Sequence, residues 1–379
     1  MGQKPKIALM TYAIDNRAAK GTAIVARYST EKFLELKDTY DLTFIHYEKC
    51  TDPIYQHGVK EIIIPEWRWM NFRSLRQIWF FLTTKEQFDC MVWFQPRLYP
   101  FFWLAPARKI FVTLHGAGNW GQKDRFEFGA FMYLWTIRLW SKYIDLGTGG
   151  SEYARNDIIE KYKFDPKHVA LLHYGADERF ERKGEDAIQK IREKYGLPPT
   201  FILNVARYVY TKNAHGVIKA FDQYMTKHPD SDLHLVNIGG KSVDTERVMH
   251  LYNTSRWKDR IHLIEYVEVE ELPIFYSACL ALVFPLMDEG FGLPAIEAMR
   301  CKCPVVVANT AYPEITNDTG LLVNAYDPND IERGIKTIVE DRELRERIAE
   351  AGYHAAQKYT WKNYGDKLVK LVDDLIKTP

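Results

Sequence analysis

Short apolar runs alternate with amphipathic stretches along the whole chain. In the first half the runs are 7–12, 42–47, 62–64, 90–94, 110–114 and 144–146. In the second half they are 201–206, 233–238, 261–264, 281–284, 305–307 and 321–323. Each has the length and the bounding residues of a buried strand. Helical patterns lie between them. Residues 23–36 place their apolar positions on one face, and 216–225, 270–277 and 361–377 also read as helices. Strand–helix alternation predicts an α/β protein with largely parallel sheets. Ligands in such sheets bind at the carboxyl ends of the strands. The charged, helix-prone stretch 181–198 separates the two series and predicts a hinge between two domains.

The stretch 279–303, CLALVFPLMDEGFGLPAIEAMRCKC, gathers the most chemistry. An apolar run ends in the tight loop Asp288-Glu289-Gly290-Phe291-Gly292, and Pro294 suits the first turn of a helix. A helix start offers unpaired backbone N–H groups and positive dipole, which suit a phosphate. Gly290 and Gly292 let the backbone approach a ligand. Glu289 in the loop and Glu297 in the helix supply two carboxylates, each able to accept hydrogen bonds from a pair of sugar hydroxyls. Strand, glycine loop, helix start and two carboxylates predict a site for a sugar joined to a diphosphate.

FPLMDEGFGLPAIEAMRCKCPVV resembles the E-x7-E region of the retaining glycosyltransferases of family 4, which have the GT-B fold. The match is dense and gapless from Glu289 to Met299. Further likenesses follow along the chain. Arg207 with Lys212, in ARYVYTKN, resembles the family's phosphate clamp. His115 resembles its strand-end histidine. Tyr174-Gly175-Ala176-Asp177 resembles its N-G-V-D turn at the domain junction, with Tyr174 in place of asparagine. Lys302 stands where the family usually has glycine.

The resemblance implies two Rossmann-like domains facing across a cleft. These are an acceptor-binding domain over 1–180 and a nucleotide-sugar-binding domain over 181–360, with the terminal helix 361–379 crossing back to the first. It implies retaining transfer of a hexosyl unit from a nucleotide-diphosphate sugar to a glycan. Glu297 would hold the ribose diol and Glu289 would orient the sugar hydroxyls. Backbone groups over Gly290, Phe291, Gly292 and Leu293 would meet sugar or phosphate, and Tyr266 and Val267 the base. Arg207 and Lys212 would neutralise the leaving diphosphate, and His115 would contact the sugar. Gly21, in the loop after the first strand, would present N–H groups to phosphate or acceptor. That loop is not GxGxxG, which removes the main support for a dinucleotide oxidoreductase. Two alternatives stay open: an epimerase or hydrolase acting on nucleotide sugars, and a catalytically silent protein of the same fold that binds a membrane or a partner.

Composition narrows the field. With 379 residues the chain is long enough for two full cores. A net charge of +1 argues against a general nucleic-acid binder. Five scattered cysteines predict a reducing compartment without a disulfide framework, and Cys301-Lys302-Cys303 lacks the second half of a zinc site. Asp230-Ser231-Asp232 lies at the amino end of a strand, away from the expected site, so no metal and no cofactor are expected. Residues 7–14 are too short for a leader and lack a cleavage pattern, and no apolar run reaches membrane-spanning length. The expected location is cytoplasmic, or peripheral on the cytoplasmic membrane face.

Residues 1–180 carry 25 basic and 20 acidic residues, the remainder 26 and 30. Within the basic half, 67–103 crowds Trp67, Trp69, Trp79, Trp93 and Trp103 among Arg68, Arg73, Arg76 and Arg97. This pattern fits a membrane-facing surface near a lipid-linked acceptor. It fits equally a core of aromatics edged by snorkelling arginines.

Overall fold

The apolar runs become the strands of two parallel sheets. A computed structural model of the chain describes residues 3–15, 20–49, 51–64, 73–94, 101–115, 135–288, 290–310, 312–317 and 319–378. The chain divides into two compact units, Met1–Tyr174 with Trp361–Pro379, and Gly175–Thr360. Residues 175–180, expected with the first half, pack with the second. The Ala176 amide donates to the Tyr359 carbonyl at 3.1 Å, and Arg300 Nε donates to the Phe180 carbonyl at 3.3 Å.

The first unit holds β1 (Lys6–Met10), β2 (Asp41–His46), β3 (Lys60–Ile63), β4 (Phe88–Trp93), β5 (Ala107–Thr113), β6 (Leu146–Gly149) and β7 (Val169–Leu171). Their order is β3-β2-β1-β4-β5-β6-β7 and every pair is parallel. The order reverses between β1 and β4, the doubly wound arrangement in which ligands sit at the switch point. Burial on both faces explains the near-continuous apolar text of the central strands: Ile7 to Met10 and Cys90 to Val92 are fully buried.

Two departures from the sequence expectation stand in this unit. The sixth strand lies at Leu146–Gly149 rather than 144–146, because Ile144 closes the short 3-10 turn Ser141–Tyr143. Strand β7 is only three residues long, too short for its periodicity to register. The terminal helix Trp361–Lys377 belongs to this unit. It lies on the helix Lys20–Glu35, where Trp361 stacks on Tyr28 at 4.3 Å and the Ser29 and Tyr364 hydroxyls share a hydrogen bond of 2.7 Å.

The second unit repeats the plan with β8 (Phe201–Val205), β9 (His234–Ile238), β10 (Ile261–Ile264), β11 (Ala281–Phe284), β12 (Val305–Ala308) and β13 (Leu321–Val323). The order β10-β9-β8-β11-β12-β13 is again parallel and reverses between β8 and β11. Its core packs the helices Ala214–Lys227 and Pro328–Glu340 on the buried strands through residues such as Phe221, Val217, Ile331 and Ile335. The α/β class with two parallel, doubly wound sheets is as the alternation predicts.

Candidate active site

The second unit's switch point collects the expected donor residues. Arg207 follows β8, Lys212 ends the 3-10 turn Tyr210–Lys212, and Gly290 to Leu293 follow β11. Neighbouring parallel strands bring their carboxyl ends together, so residues some 80 positions apart in sequence share one rim. Two asparagines tie this rim. Asn204 Nδ2 donates to the Val283 carbonyl at 2.7 Å, and Asn213 Nδ2 to the carbonyls of Pro285 at 2.9 Å and Ala325 at 2.7 Å. Asn213 adopts a left-handed φ of 57° and precedes the helix Ala214–Lys227, so it turns the Lys212 segment back against the β11 exit. The Met287 amide donating to the Thr211 carbonyl at 2.9 Å completes that seam.

Lys212 stands beside Arg207 and Asp288. Burial pushes its ammonium down to about 8; Arg207 adds to the fall and Asp288 opposes it. A second negative charge at this place would raise the lysine back towards its ordinary value. Arg207 itself is exposed. Two cations at a strand's carboxyl end suit a diphosphate.

The helix Leu293–Arg300 opens on Gly292, whose φ is 79°. A Cβ there would overlap the hydroxyl and ring of Tyr312, which is fully buried. The backbone of the helix start therefore runs against a rigid ring. Gly292→Ala is expected to cost about 2–4 kcal/mol, from the left-handed φ and from overpacking together. Denaturant unfolding measures it, and a loss below about 1 kcal/mol would show that the ring yields.

Glu297 lies on this helix. Tyr276, from the helix Leu272–Ala278, donates its hydroxyl to Glu297 Oε2 at 3.1 Å. Burial pushes the Glu297 carboxyl up to about 7; the Asp177 carboxylate adds to the rise, whereas the Tyr276 hydrogen bond and Arg179 oppose it. Arg179 is held by Asp177 at 2.9 Å and by Glu270 at 2.8 Å. Glu297 is thus a half-buried acid poised near neutrality, a property that concentrates at functional sites. Its sequence partner Glu289 lies outside the described residues.

The remaining expectations fall unevenly. Val267 is buried, whereas Tyr266 is exposed and donates its hydroxyl to Glu268 at 3.0 Å. Gly239, closing β9, leaves no room for a side chain against the Ala206 carbonyl. Asp232 accepts a hydrogen bond from Thr200 at 3.0 Å, at the amino end of β9. Among the described residues no group of three or more His, Cys, Asp or Glu is placed to hold a metal ion.

In the first unit, Gly21 is corrected from a loop to the first turn of the helix Lys20–Glu35, where it is exposed. The helix begins at Lys20, one residue before it. His115 follows β5 with a φ of 59°. Its Nε2 bonds the Phe94 carbonyl at 3.1 Å, and since a carbonyl only accepts, Nε2 carries the proton. Nδ1 then accepts from the Tyr174 hydroxyl at 2.6 Å. Burial pushes the imidazole down to about 4, so it is neutral at pH 7. In this arrangement both ring nitrogens are engaged within the first unit. The cause is Tyr174, the residue standing in place of asparagine.

Sequence reasoning missed Tyr276, Asn204 and Asn213. A polar residue inside or just after an otherwise apolar strand was the available signal for Asn204. The 67–103 segment splits. Phe80, Phe81, Trp93, Phe94 and Phe102 are core, Trp79 and Phe101 are exposed, and Trp67, Arg68, Trp69, Phe72 and Arg97 lie outside the described residues.

Comparison with known proteins places the second unit. Residues 187–355 match the family described as Glycosyl transferases group 1. O-antigen chain mannosyltransferase B from Escherichia coli is 26% identical over 215 residues, 56% of this chain and 56% of that protein. A D-inositol 3-phosphate glycosyltransferase from Corynebacterium kroppenstedtii is 27% identical over 237 residues, 60% of this chain and 52% of that protein. The chain spans about half the length of these curated relatives. Among solved structures, sucrose-phosphate synthase from Thermosynechococcus elongatus superposes with a TM-score of 0.79 at 19% identity, covering 99% of this chain and 100% of that one. HepE from Anabaena in complex with UDP and glucose gives 0.77 at 16% identity, covering 98% and 100%. At these identities the likeness shows the fold, which is GT-B.

Proposed function

We propose that the chain is a retaining glycosyltransferase of the E-x7-E type found in family 4. It moves a hexosyl unit from a nucleotide-diphosphate sugar to a glycan acceptor, a lipid-linked intermediate of cell-surface polysaccharide synthesis, without a metal. The observation that carries this reading is the meeting of Arg207, Lys212 and the Gly292–Leu293 helix start at the β8/β11 switch point. The group 1 match over 187–355 and the UDP and glucose bound by HepE support it.

In this reading Glu297 accepts the ribose diol and Glu289 orients the sugar hydroxyls. Backbone N–H groups over 290–293 meet phosphate or sugar, and the backbone near Val267 meets the base. The acceptor oxygen forms a bond to the anomeric carbon as the bond from that carbon to the diphosphate oxygen breaks. Attack comes from the same face, so configuration is retained. The acceptor's proton passes to the departing phosphate oxygen, and Arg207 and Lys212 stabilise the charge left on the diphosphate. His115, neutral and held by Tyr174, shapes the first unit's strand ends rather than donating from its ring. Membrane contact through the 67–103 region and a cytoplasmic location belong to the same proposal. No described helix is long and apolar enough to cross a membrane.

The test is a thermal-shift panel with UDP, GDP, ADP and dTDP and their common sugar conjugates. A nucleotide at 100 times its dissociation constant adds about 2.7 kcal/mol of stability, a rise of several degrees. One base family is expected to stand out, and the anomer of the product, read by NMR, reports retention. A panel without any shift refutes the donor assignment.

A further inference from the structure

We infer that Cys279 and Cys303 are a redox-modification site, a thiol pair that a peroxide oxidises to a reversible disulfide. Their sulfurs lie 3.4 Å apart. The pair stands at the amino ends of two neighbouring strands of the second unit, β11 and β12, at the end of the sheet away from the carboxyl-end rim. Its chemistry therefore does not depend on the donor proposed for that rim.

The backbone builds the approach. Cys279 closes the helix Leu272–Ala278, and its amide donates to the Phe275 carbonyl at 3.1 Å. Cys303 follows the helix Leu293–Arg300, and its amide donates to the Ala298 carbonyl at 2.9 Å. From the two thiols the chain enters β11 and β12, which pair in parallel with Leu282 opposite Val305. The Leu282 amide donates to the Pro304 carbonyl at 2.9 Å. Paired strands run about 4.8 Å apart. A disulfide spans roughly 4.4–6.8 Å between Cα atoms, so this frame suits the bond.

Exposure sets the order of events. Cys279 is half-buried and open to a small oxidant, whereas Cys303 is buried. Burial pushes the Cys303 thiol well up, so it waits as the protonated partner. Peroxide oxidises the Cys279 thiol to a sulfenic acid and is itself reduced to water. The Cys303 sulfur then bonds the Cys279 sulfur, and the sulfenic oxygen leaves with the Cys303 proton as a second water. Two thiols thus lose two electrons and two protons, and one peroxide becomes two waters. In a reducing compartment the resting form is the dithiol, the form in which Cys279 and Cys303 stand here.

The bond closes the loop 279–303, which holds β11, the glycine loop and the helix of Glu297. Closing a loop removes freedom from the unfolded chain, so the oxidised protein resists unfolding more than the reduced one. The pair is a staple on this segment, set by oxidant and released by thiol.

The reduced full chain is exposed to hydrogen peroxide, the remaining thiols are capped with N-ethylmaleimide, and tryptic peptides are weighed. Arg300 and Lys302 let trypsin part Cys301 from both partners. The expected product joins peptides 261–300 and 303–333, two hydrogens lighter than their sum, and dithiothreitol undoes it. The oxidised chain should melt about 5 °C or more above the reduced one. Cys279→Ser is expected to abolish both the link and the rise, whereas Cys301→Ala keeps both. Circular dichroism checks that the variants fold, and the wild-type peptide map decides the pairing without them. Sulfinic acid at Cys279 in place of a link overturns the inference. So does a link from Cys301 to either partner, or a linked chain that melts no higher than the reduced one.

Discussion

Glu289→Ala is expected to lower turnover about 10²–10⁴-fold and leave nucleoside diphosphate affinity within about threefold. Two charge-assisted hydrogen bonds to sugar hydroxyls are worth roughly 3–6 kcal/mol together, and each 1.4 kcal/mol is about a factor of ten. Glu297→Gln is expected to do the opposite, weakening nucleotide affinity about 10–100-fold. It should also raise the melting temperature above pH 7, which follows from linkage. The Glu297 carboxyl stands at about 7 in the folded chain against an ordinary 4.5. Between those values the folded state holds the extra proton, so stability falls as pH rises from about 4.5 to 7 and stays lowered above. Glutamine removes that cost and still accepts from the Tyr276 hydroxyl. Because Glu297 is partly open to solvent the gain is roughly 1 kcal/mol, or about 2–4 °C. The gain should vanish at pH 4.5. Equilibrium binding of UDP and GDP with melting curves at pH 4.5 and 8 decides it. Unchanged nucleotide affinity in Glu297→Gln would remove the ribose role, and unchanged turnover in Glu289→Ala would remove the sugar role.

What sequence made legible follows from the range of the interactions concerned. Strands β10, β11 and β13 appear with the bounds that their apolar runs show, and in the central β11 burial of every residue writes itself into consecutive positions. The E-to-E spacing and the glycine loop are local, and the helix start forms where Pro294 indicates. Lys302 adopts a φ of 54°, which explains glycine as the family's usual residue there. Strand β6 was displaced because its text, LGTG, carries the glycines that otherwise mark a turn.

The environment of each charged group was not legible. Glu297 owes its proton affinity to burial, with Asp177 and Tyr276 modulating it, and both arrive from distant segments through the strand order. His115 sits at the strand end that its sequence context indicates, yet its ring is captured by Tyr174, 59 residues further on. The 67–103 aromatics could not be divided between core and surface, because the buried face of the Arg73–Thr83 helix carries Arg76 and Gln77 beside Phe80 and Phe81, with partners at Tyr47 and Ile64.

Lys212→Met is expected to lower turnover about 10²–10³-fold, the loss typical of one electrostatic contact to a charge that grows in the transition state. It should also abolish a pH dependence that the wild type shows. Folding holds the ammonium down at about 8 against an ordinary 10.5. At pH 7 the lysine is charged in both folded and unfolded chains, and the folded chain bears the cost of a half-buried cation beside Arg207. That cost fades as pH rises from about 8 to 10.5. A bound diphosphate supplies the missing negative charge and lifts the lysine back towards its ordinary value. Donor binding must then take up a proton above pH 8, and affinity must weaken by up to about tenfold per pH unit there. The diphosphate's own last proton leaves near pH 6, so it contributes nothing in that range. Calorimetric titration with the nucleoside diphosphate at pH 7 and 9, in two buffers of different ionisation enthalpy, reads the proton directly. Uptake approaching one proton at pH 9 in the wild type and none in Lys212→Met assigns the contact. A flat wild-type affinity from pH 7 to 9.5 would place the diphosphate elsewhere and leave Lys212 as a half-buried cation that the fold maintains at its own expense.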